Sequence, residues 1–145
     1  MVTEVETNLV KATLTSLESL QTVTVLWNPS RYRLRRRSHL AVPRVLGQSA
    51  ADALRVCGGE ERFETRLFLD TTDQSPGETR NARRIADVLS SWMQPPDGEI
   101  RPPRVAFIWG PFRFDGAIEL LEEEWIRFDP DGTPVRAWLT LALRK

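Results

Sequence analysis

The residues that could carry out catalysis are few in this chain of 145 residues. His39 and Cys57 are the only histidine and the only cysteine. A hydrolytic triad needs a nucleophile, a base and a group that orients the base, and one histidine in an arginine-rich stretch argues against it. Cys57 is either a reactive thiol or a buried or incidental cysteine. We favour the buried or incidental cysteine, because no nearby residue is marked as an activating base.

Metal, cofactor and glycosidase chemistry have little support in the sequence. One cysteine allows neither an internal disulfide nor a C-x-x-C zinc site, and neither a P-loop nor a Gly-x-Gly-x-x-Gly motif is present. A glycosidase pair could lie within the glutamate run at residues 119–124, although such a run is more often a solvated strand face. We therefore predict a protein that is not an enzyme and has no catalytic, metal or cofactor-binding residues, with a small hydrolase as the competing hypothesis.

The charges balance overall but are unevenly placed. Twenty Lys and Arg oppose twenty Asp and Glu, so no net field attracts the chain to nucleic acid. Arginines crowd residues 31–37 and glutamates crowd residues 119–124. These runs are either solvated strand faces or complementary patches that meet between subunits. The candidate intersubunit contacts are Arg33, Arg35, Arg36, Arg37, Glu122, Glu123 and Glu124. Nucleic-acid binding is a minor alternative, since only Tyr32 is interleaved with the arginines.

The elements that must position these residues are mostly strands. Residues 22–27 are rich in β-branched and aromatic types, and residues 32–37, 62–70 and 135–143 alternate with a period of two. Residues 105–109 are nearly all apolar, as in a strand buried on both faces. Further strands are predicted at residues 9–17 and 113–121, with residues 124–128 continuing or pairing with the latter. This gives roughly seven strands.

One helix is predicted between the strands. Ser75 has the type of an N-cap, Pro76 suits the first helical position and Glu78 can close a capping box. Apolar residues then recur at steps of three and four until prolines 95 and 96 end the helix. We therefore predict one mainly β (α+β) domain over residues 1–145, a barrel or sandwich. Residues 1–8 are expected to be extended or frayed, and residues 38–60 to form a long loop that reaches a neighbouring subunit, with a helical turn near residues 49–56.

Four short motifs occur in order along the chain. They are residues 26–32 (LWNPSRY), 67–72 (LFLDTT), 102–110 (PPRVAFIWG) and 130–137 (PDGTPVRA). Their order and spacing resemble the tube-like proteins of contractile injection systems, over about residues 9–144. In that family the same places read N-P-x-x-Y, F-F-D-T, P-P-x-x-x-F-x-W-G and D-G-x-P-V-R-A. The matching motif residues are Asn28, Pro29, Tyr32, Asp70, Trp109, Gly110, Asp131, Gly132, Pro134 and Arg136.

The resemblance implies a tail-tube fold of two antiparallel sheets with one flanking helix, assembled as a homo-hexameric ring. Such rings serve as hub adaptor or tube initiator between the spike complex and the inner tube. Members of the family often carry a peptidoglycan-binding LysM module, and this sequence shows none through Lys145. The expectation therefore moves from hub adaptor toward tube initiator. The implied partners are the inner tube protein, the spike or hub and other baseplate proteins.

The motif residues have a structural and a functional interpretation. As fold signatures they supply turns and core: Gly132 the permissive backbone of a hairpin, Asp131 its side-chain cap, and Pro134 the first residue of a strand. Arg136 either pairs with a carboxylate such as Asp70 or is solvated. A monomeric β-rich binding module remains the alternative function. No Sec signal and no long apolar run are present, so we expect cytoplasmic synthesis, no membrane insertion, and assembly into a particle. That particle is either released by lysis, anchored to a membrane or free in the cytoplasm.

Overall fold

The computed structural model describes residues 9–42, 47 and 54–145. The strands are β1 Thr13–Ser16, β2 Thr22–Thr24, β3 Tyr32–Ala41, β4 Arg55–Asp70, β5 Val105–Trp109, β6 Phe112–Phe128 and β7 Pro134–Arg144. A 3-10 helix, Glu78–Arg80, precedes the α-helix α1, Arg83–Ser91. The chain is therefore mainly β, as predicted. Within the described residues, no helix combines the length and apolarity needed to cross a bilayer.

All seven strands form one antiparallel sheet in the order β2-β1-β5-β6-β7-β4-β3. The long strand β6 belongs to both halves of this sheet. Its first residues pair with β5, where Gly116 lies opposite Val105, and from Ala117 onward it pairs with β7. The predicted division into two sheets is not confirmed, because β6 carries the hydrogen bonding from one half to the other.

The core lies where the two halves of the sheet face each other. The Phe63 ring on β4 is 4.5 Å from the Phe107 ring on β5, measured between centroids, and both side chains are fully buried. The predicted alternation holds along the first part of β7. Val135, Ala137, Leu139 and Leu141 are fully buried, whereas Arg136, Trp138 and Thr140 between them are more exposed. Helix α1 adds Ala86 and Leu89 to this core. Burial of these apolar faces is the main stabilising term.

The predicted helix start at Ser75 is wrong. The backbone forms only a short 3-10 helix after Gly77, and α1 begins at Arg83 without a side-chain cap. The Thr71 hydroxyl donates to the carbonyl oxygen of Arg80 (2.5 Å), and the Ala82 N–H donates to that of Pro134 (3.0 Å). These bonds fasten residues 71–82 to β4 and β7, so the segment follows the sheet before it turns into the helix.

The prediction of a loop over residues 38–60 is also wrong at both of its ends. Strand β3 continues to Ala41 and β4 starts at Arg55, so the two strands form a long hairpin. The register shifts between His39 and Leu40, because Cys57 of β4 is an extra residue between their partners Gly58 and Val56. The predicted helical turn at residues 49–56 falls mainly on residues 49–53, which lie outside the described residues, and its last two positions belong to β4. Residues 1–8 also lie outside them.

Candidate assembly surfaces

The first group of motif residues holds the start of the described chain. The Asn28 side chain accepts a hydrogen bond from the Ala12 N–H and donates one to the Val10 carbonyl, each at 2.9 Å. Trp109 donates its indole N–H to the same carbonyl at 3.1 Å. Two distant motifs therefore fix one segment, which explains why an amide and an indole stand at these positions.

Aromatic stacking continues this corner of the fold. Tyr32 stacks on Phe112 at 4.5 Å and lies 6.4 Å from the Trp109 ring. Gly110 turns the chain from β5 to β6 with a φ of 57°, a conformation that glycine adopts without a Cβ penalty. Pro29 is buried next to Asn28. These motif residues thus act in turns and packing.

The second group surrounds the carboxylate of Asp70. Arg136 donates to Asp70 Oδ2 from Nη2 at 2.9 Å and from Nε at 3.1 Å. Partial burial alone would raise the pKa of Asp70, but hydrogen bonds from the Thr72 N–H and hydroxyl, together with Arg136, outweigh it and lower that pKa. The carboxylate therefore stays ionised and ties the end of β4 to β7.

Sequence reasoning missed Arg80, which is the centre of a larger network. Its guanidinium binds both carboxylate oxygens of Asp129, at 2.6 and 2.8 Å, and donates to the carbonyls of Thr72 and Gln74 at 2.9 Å. The hydrogen bond from Arg80 lowers the pKa of Asp129. No local pattern could have indicated this contact, because Asp129 is 49 residues away in the chain.

The turn after Asp129 forms the hairpin between β6 and β7. Asp131 Oδ1 accepts from the Thr133 N–H at 3.0 Å, and Gly132 has a φ of 88°. Pro134 is the first residue of β7. The turn thus fixes where β7 begins. Arg80 binds Asp129 at the start of this turn, and Arg136 of β7 binds Asp70 on β4.

The four strands β3, β4, β7 and β6 leave two edges open within the described part of the chain. Strand β3 pairs only with β4 over its ten residues. Beyond Gly116, β6 pairs only with β7, because β5 covers only its first five residues. An open edge presents unpaired N–H and C=O groups that can pair with another chain. These edges, named here the β3 edge (residues 32–41) and the β6 edge (residues 117–128), lie on opposite sides of the same four-stranded layer.

The β3 edge carries the arginine run, and only part of that run is paired inside the chain. Arg36 lies 3.5 Å from Glu61 and Arg37 lies 4.0 Å from Glu60, with both arginine side chains more than 60% exposed. Among the described residues, Arg33 and Arg35 have no carboxylate within ion-pair distance. Their side chains are exposed.

The β6 edge carries the glutamate run. Glu124 lies 3.6 Å from Arg66 on β4, whereas Glu122 and Glu123 have no ion pair among the described residues. Glu119 is bound instead by Arg62 at 2.8 Å and by Arg144 at 3.3 Å, and the hydrogen bond from Arg62 lowers the pKa of Glu119. The arginine and glutamate runs therefore do not meet within one chain, and each leaves charges free at an edge.

This fold and these surfaces define a mainly β subunit with two open, oppositely charged edges. The family model of the contractile injection system tube protein matches residues 6–145, so the chain belongs to that family. The resemblance seen in the four motifs is thereby confirmed. No curated protein matches the chain significantly. Among the described residues, no group of three potential ligands could hold a metal ion.

Proposed function

We propose that the chain is the subunit of a homo-hexameric ring that starts the inner tube of the particle and joins it to the spike and hub. The observation that supports a ring is the pair of open sheet edges with opposite charge. The number six and the position at the tube start come from the family resemblance. The inner tube protein and other baseplate proteins are the proposed neighbours above and below.

Strand directions favour pairing between the two edges. The four strands β3, β4, β7 and β6 alternate in direction, since each neighbouring pair is antiparallel. Placing the β6 edge of one copy beside the β3 edge of the next therefore makes another antiparallel pair with no change in orientation. The contact is heterologous, because the two surfaces differ. A heterologous contact closes into a ring when the rotation between neighbouring copies is a whole fraction of a full turn.

Charge supports the same contact. Arg35 lies directly opposite Arg62 in the β3–β4 ladder, and like charges at such positions are unfavourable. Carboxylates arriving from Glu122 and Glu123 of a second copy would neutralise that arginine excess. The pairing would thus join neighbouring copies by backbone hydrogen bonds, and the opposite charges would fix the register of the two strands.

A ring of six would contain a continuous barrel of about 24 strands. At about 4.8 Å between strands, its circumference is at least roughly 115 Å, which leaves an open aqueous lumen. The face of β4 turned away from the core would line it, with Arg62, Glu64 and Arg66 along its length. These side chains are paired with Glu119, with each other or with Glu124, so the lining is of mixed charge.

Charge exchange across the edges tests the ring. We expect the double variant Arg33→Glu/Arg35→Glu to lose the ring, and Glu122→Arg/Glu123→Arg to lose it too. A mixture of the two variants should recover mixed assemblies, because each supplies the charge that the other needs. Arg101→Glu is the matched control, since Arg101 is exposed and lies on neither edge. Native mass spectrometry measures the outcome. Rings that survive both reversals would refute the proposed contact. A chain that stays monomeric and does not occur in particles would favour the monomeric module.

Labelling of particles separates the proposed position from its alternatives. Gold-labelled antibody against this chain should mark one end of the tube if the chain is the initiator. Labels along the whole tube would instead identify an inner-tube subunit, which is the second candidate. A particle without the chain should keep its spike complex but lack the tube; a full-length tube in that particle would contradict initiation.

A further inference from the structure

Strand β2 forms a third open edge, named here the β2 edge (residues 22–24). It is the last strand at one end of the sheet and pairs only with β1 in the described part of the chain. Just after it, the Val25 N–H donates to the carbonyl oxygen of Ala12, and backbone groups alternate in direction along a strand. The N–H and C=O groups of Thr22 and Thr24 therefore point away from β1, and they have no backbone partner among the described residues.

The β2 edge differs from the two edges that carry the charged runs. Its residues are β-branched or aliphatic and uncharged (TVT). Apart from its shortness, it has none of the features that usually keep an edge strand from pairing, which are charged side chains, prolines and bulges. It also offers no charge that would complement the β3 edge or the β6 edge. The β2 edge is therefore suited to a different, uncharged strand.

A groove of about 1210 Å³ runs along the free side of β2. Thr22 and Val23 line it on one side and Ile85 and Val88 of α1 on the other, and no residue of β1 contributes. Val23, Leu26, Ile85 and Val88 are all partly buried and pack against the core. The floor of the groove is therefore a part of the core that is incompletely covered.

The position of α1 limits what can occupy this groove. An added strand would lie about 4.8 Å from β2, with its backbone bonded to Thr22 and Thr24 and every second side chain on the apolar floor. A helix could not do this, because its own backbone groups are already bonded to each other. A whole second sheet could not enter either, since α1 stands on the far side of the groove. The groove thus fits one isolated extended segment, and it exceeds the roughly 300–1,000 Å³ of small-ligand pockets.

The charges around the groove balance. Lys11 and Arg84 stand against Asp73 and Asp87, and the ion pair with β7 already neutralises Asp70. A strongly charged segment would therefore gain no electrostatic attraction here, whereas an uncharged one would meet no repulsion. The apolar floor and the neutral rim favour the same kind of occupant.

We propose that β2 and α1 hold a short extended segment of a different protein of the particle, with aliphatic residues at alternate positions and no net charge. The segment pairs with the β2 edge and completes the core above Val23 and Val88. Every described strand of this chain belongs to its own sheet, so the segment comes from another protein. Only its assignment to a protein of the particle rests on the proposed function.

A proline at the β2 edge tests the backbone pairing. The Thr24 N–H points away from β1, so Thr24→Pro removes no bond within the chain, and edge strands tolerate proline at such positions. Thr24→Ala is the matched control because it keeps the N–H. The probe is a fluorescent peptide, GSTVTVTVSG, and anisotropy measures its binding. We expect Thr24→Ala to bind within about twofold of the unaltered chain and Thr24→Pro to bind at least about tenfold more weakly.

A second peptide tests the apolar floor without any change to the protein. In GSTSTSTSSG serine replaces each valine, and we expect it to bind the unaltered chain at least about tenfold more weakly, because it buries no aliphatic side chain. No binding of the valine peptide at about 1 mM, equal binding by Thr24→Pro, or equal binding of the serine peptide would each overturn the proposal. A dimer of the isolated chain that Thr24→Pro dissociates would assign the groove to a second copy and overturn it too.

Hydrogen–deuterium exchange tests the site in the particle. The amides of Thr22 and Thr24 should exchange at least about tenfold more slowly in complete particles than in isolated rings, because only the particle supplies the segment. Equal exchange would overturn the proposal. Native mass spectrometry reports the ring separately: peptide binding without rings refutes only the ring, and rings that do not bind the peptide refute only this site.

Discussion

Gly116 is the position where the two halves of the sheet depend on a missing side chain. It lies opposite Val105 at the last pair between β5 and β6, and the next residue of β6 pairs with Arg144 of β7. A Cβ atom at Gly116 would stand 2.7 Å from the backbone carbonyl oxygen of Arg144 and 2.9 Å from its carbon. Because these are backbone atoms in a central strand, no side-chain rotation can relieve the overlap. We therefore expect Gly116→Ala to strain the crossing of β6 from one half to the other.

The magnitude follows from two opposed terms. Forcing an extra carbon into a packed site costs about 1–3 kcal/mol. Alanine also restricts the unfolded chain, which stabilises by about 0.4–1 kcal/mol. The midpoints of the two ranges, about 2 and about 0.7 kcal/mol, give a net loss of about 1.3 kcal/mol for Gly116→Ala, or a fall in Tm of roughly 3–5 °C for a chain of this size.

The matched control is Gly59→Ala in the β3–β4 hairpin, at a point where β7 does not pair with β4. Its Cβ would lie 3.0 Å from the Arg37 carbonyl oxygen, and this two-stranded part of the hairpin can shift to relieve that contact. The strain and the entropic gain should therefore cancel to within about 0.5 kcal/mol. Urea unfolding followed by tryptophan fluorescence measures both variants. Equal stabilities for Gly116→Ala and the unaltered chain would refute the assigned role of Gly116.

Three further predictions concern the core, the loop network and the β3 edge. Leu139→Ala should lower the free energy of unfolding by about 2–5 kcal/mol in urea titrations, because the side chain is fully buried; a loss under about 1 kcal/mol would contradict that packing. The ion pair with Arg80 lowers the pKa of Asp129, so it stabilises above the ordinary carboxyl pKa of about 3.9 and less as the pH falls below it. Asp129→Asn should flatten the decline of Tm between pH 6 and pH 3, a range that reaches about one unit below the ordinary carboxyl pKa. An unchanged slope would argue against a stabilising Arg80–Asp129 pair. Arg35→Gln should leave the stability of the monomer unchanged or raised, since it removes a like charge opposite Arg62, yet weaken the ring. A destabilised monomer would show that Arg35 has an internal role.

The strands and their buried faces could be predicted because their cause is local. Alternation of apolar and polar residues follows directly from strand geometry, and it identified the buried faces of β4 and β7. Asp131 and Gly132 likewise form the predicted hairpin turn, since turn chemistry depends on neighbouring residues. The motifs predicted the family for the same reason, as each marks a turn or a buried strand.

The errors arise where distant residues decide the local structure. Ser75 and Glu78 have the types of a capping box, yet hydrogen bonds from Thr71 and Ala82 to other segments delay the helix. Residues 38–60 contain glycines, which are typical of loops, but cross-strand pairing extends β3 and β4 into this segment. Arg80 showed no signal at all, because its partner Asp129 becomes adjacent only in the folded chain.

The sequence showed the signs of the two charged runs but not their pairing. Their opposite signs indicated complementary patches, but the sequence could not show which charges are already paired. In the structure Arg37 and Glu124 form ion pairs within the chain, whereas Arg33, Arg35, Glu122 and Glu123 form none among the described residues. This difference selects the residues for the charge-exchange experiment.

Hydrogen–deuterium exchange on assembled particles tests the central claim most directly. Backbone amides at the free sides of β3 and of β6 residues 117–128 exchange with solvent in the isolated chain, because no second strand within the described residues covers them. Pairing between copies should protect both edges together on assembly, and Arg33→Glu/Arg35→Glu should abolish that protection at both. Assembled particles in which both edges exchange as fast as in the monomer would contradict the account.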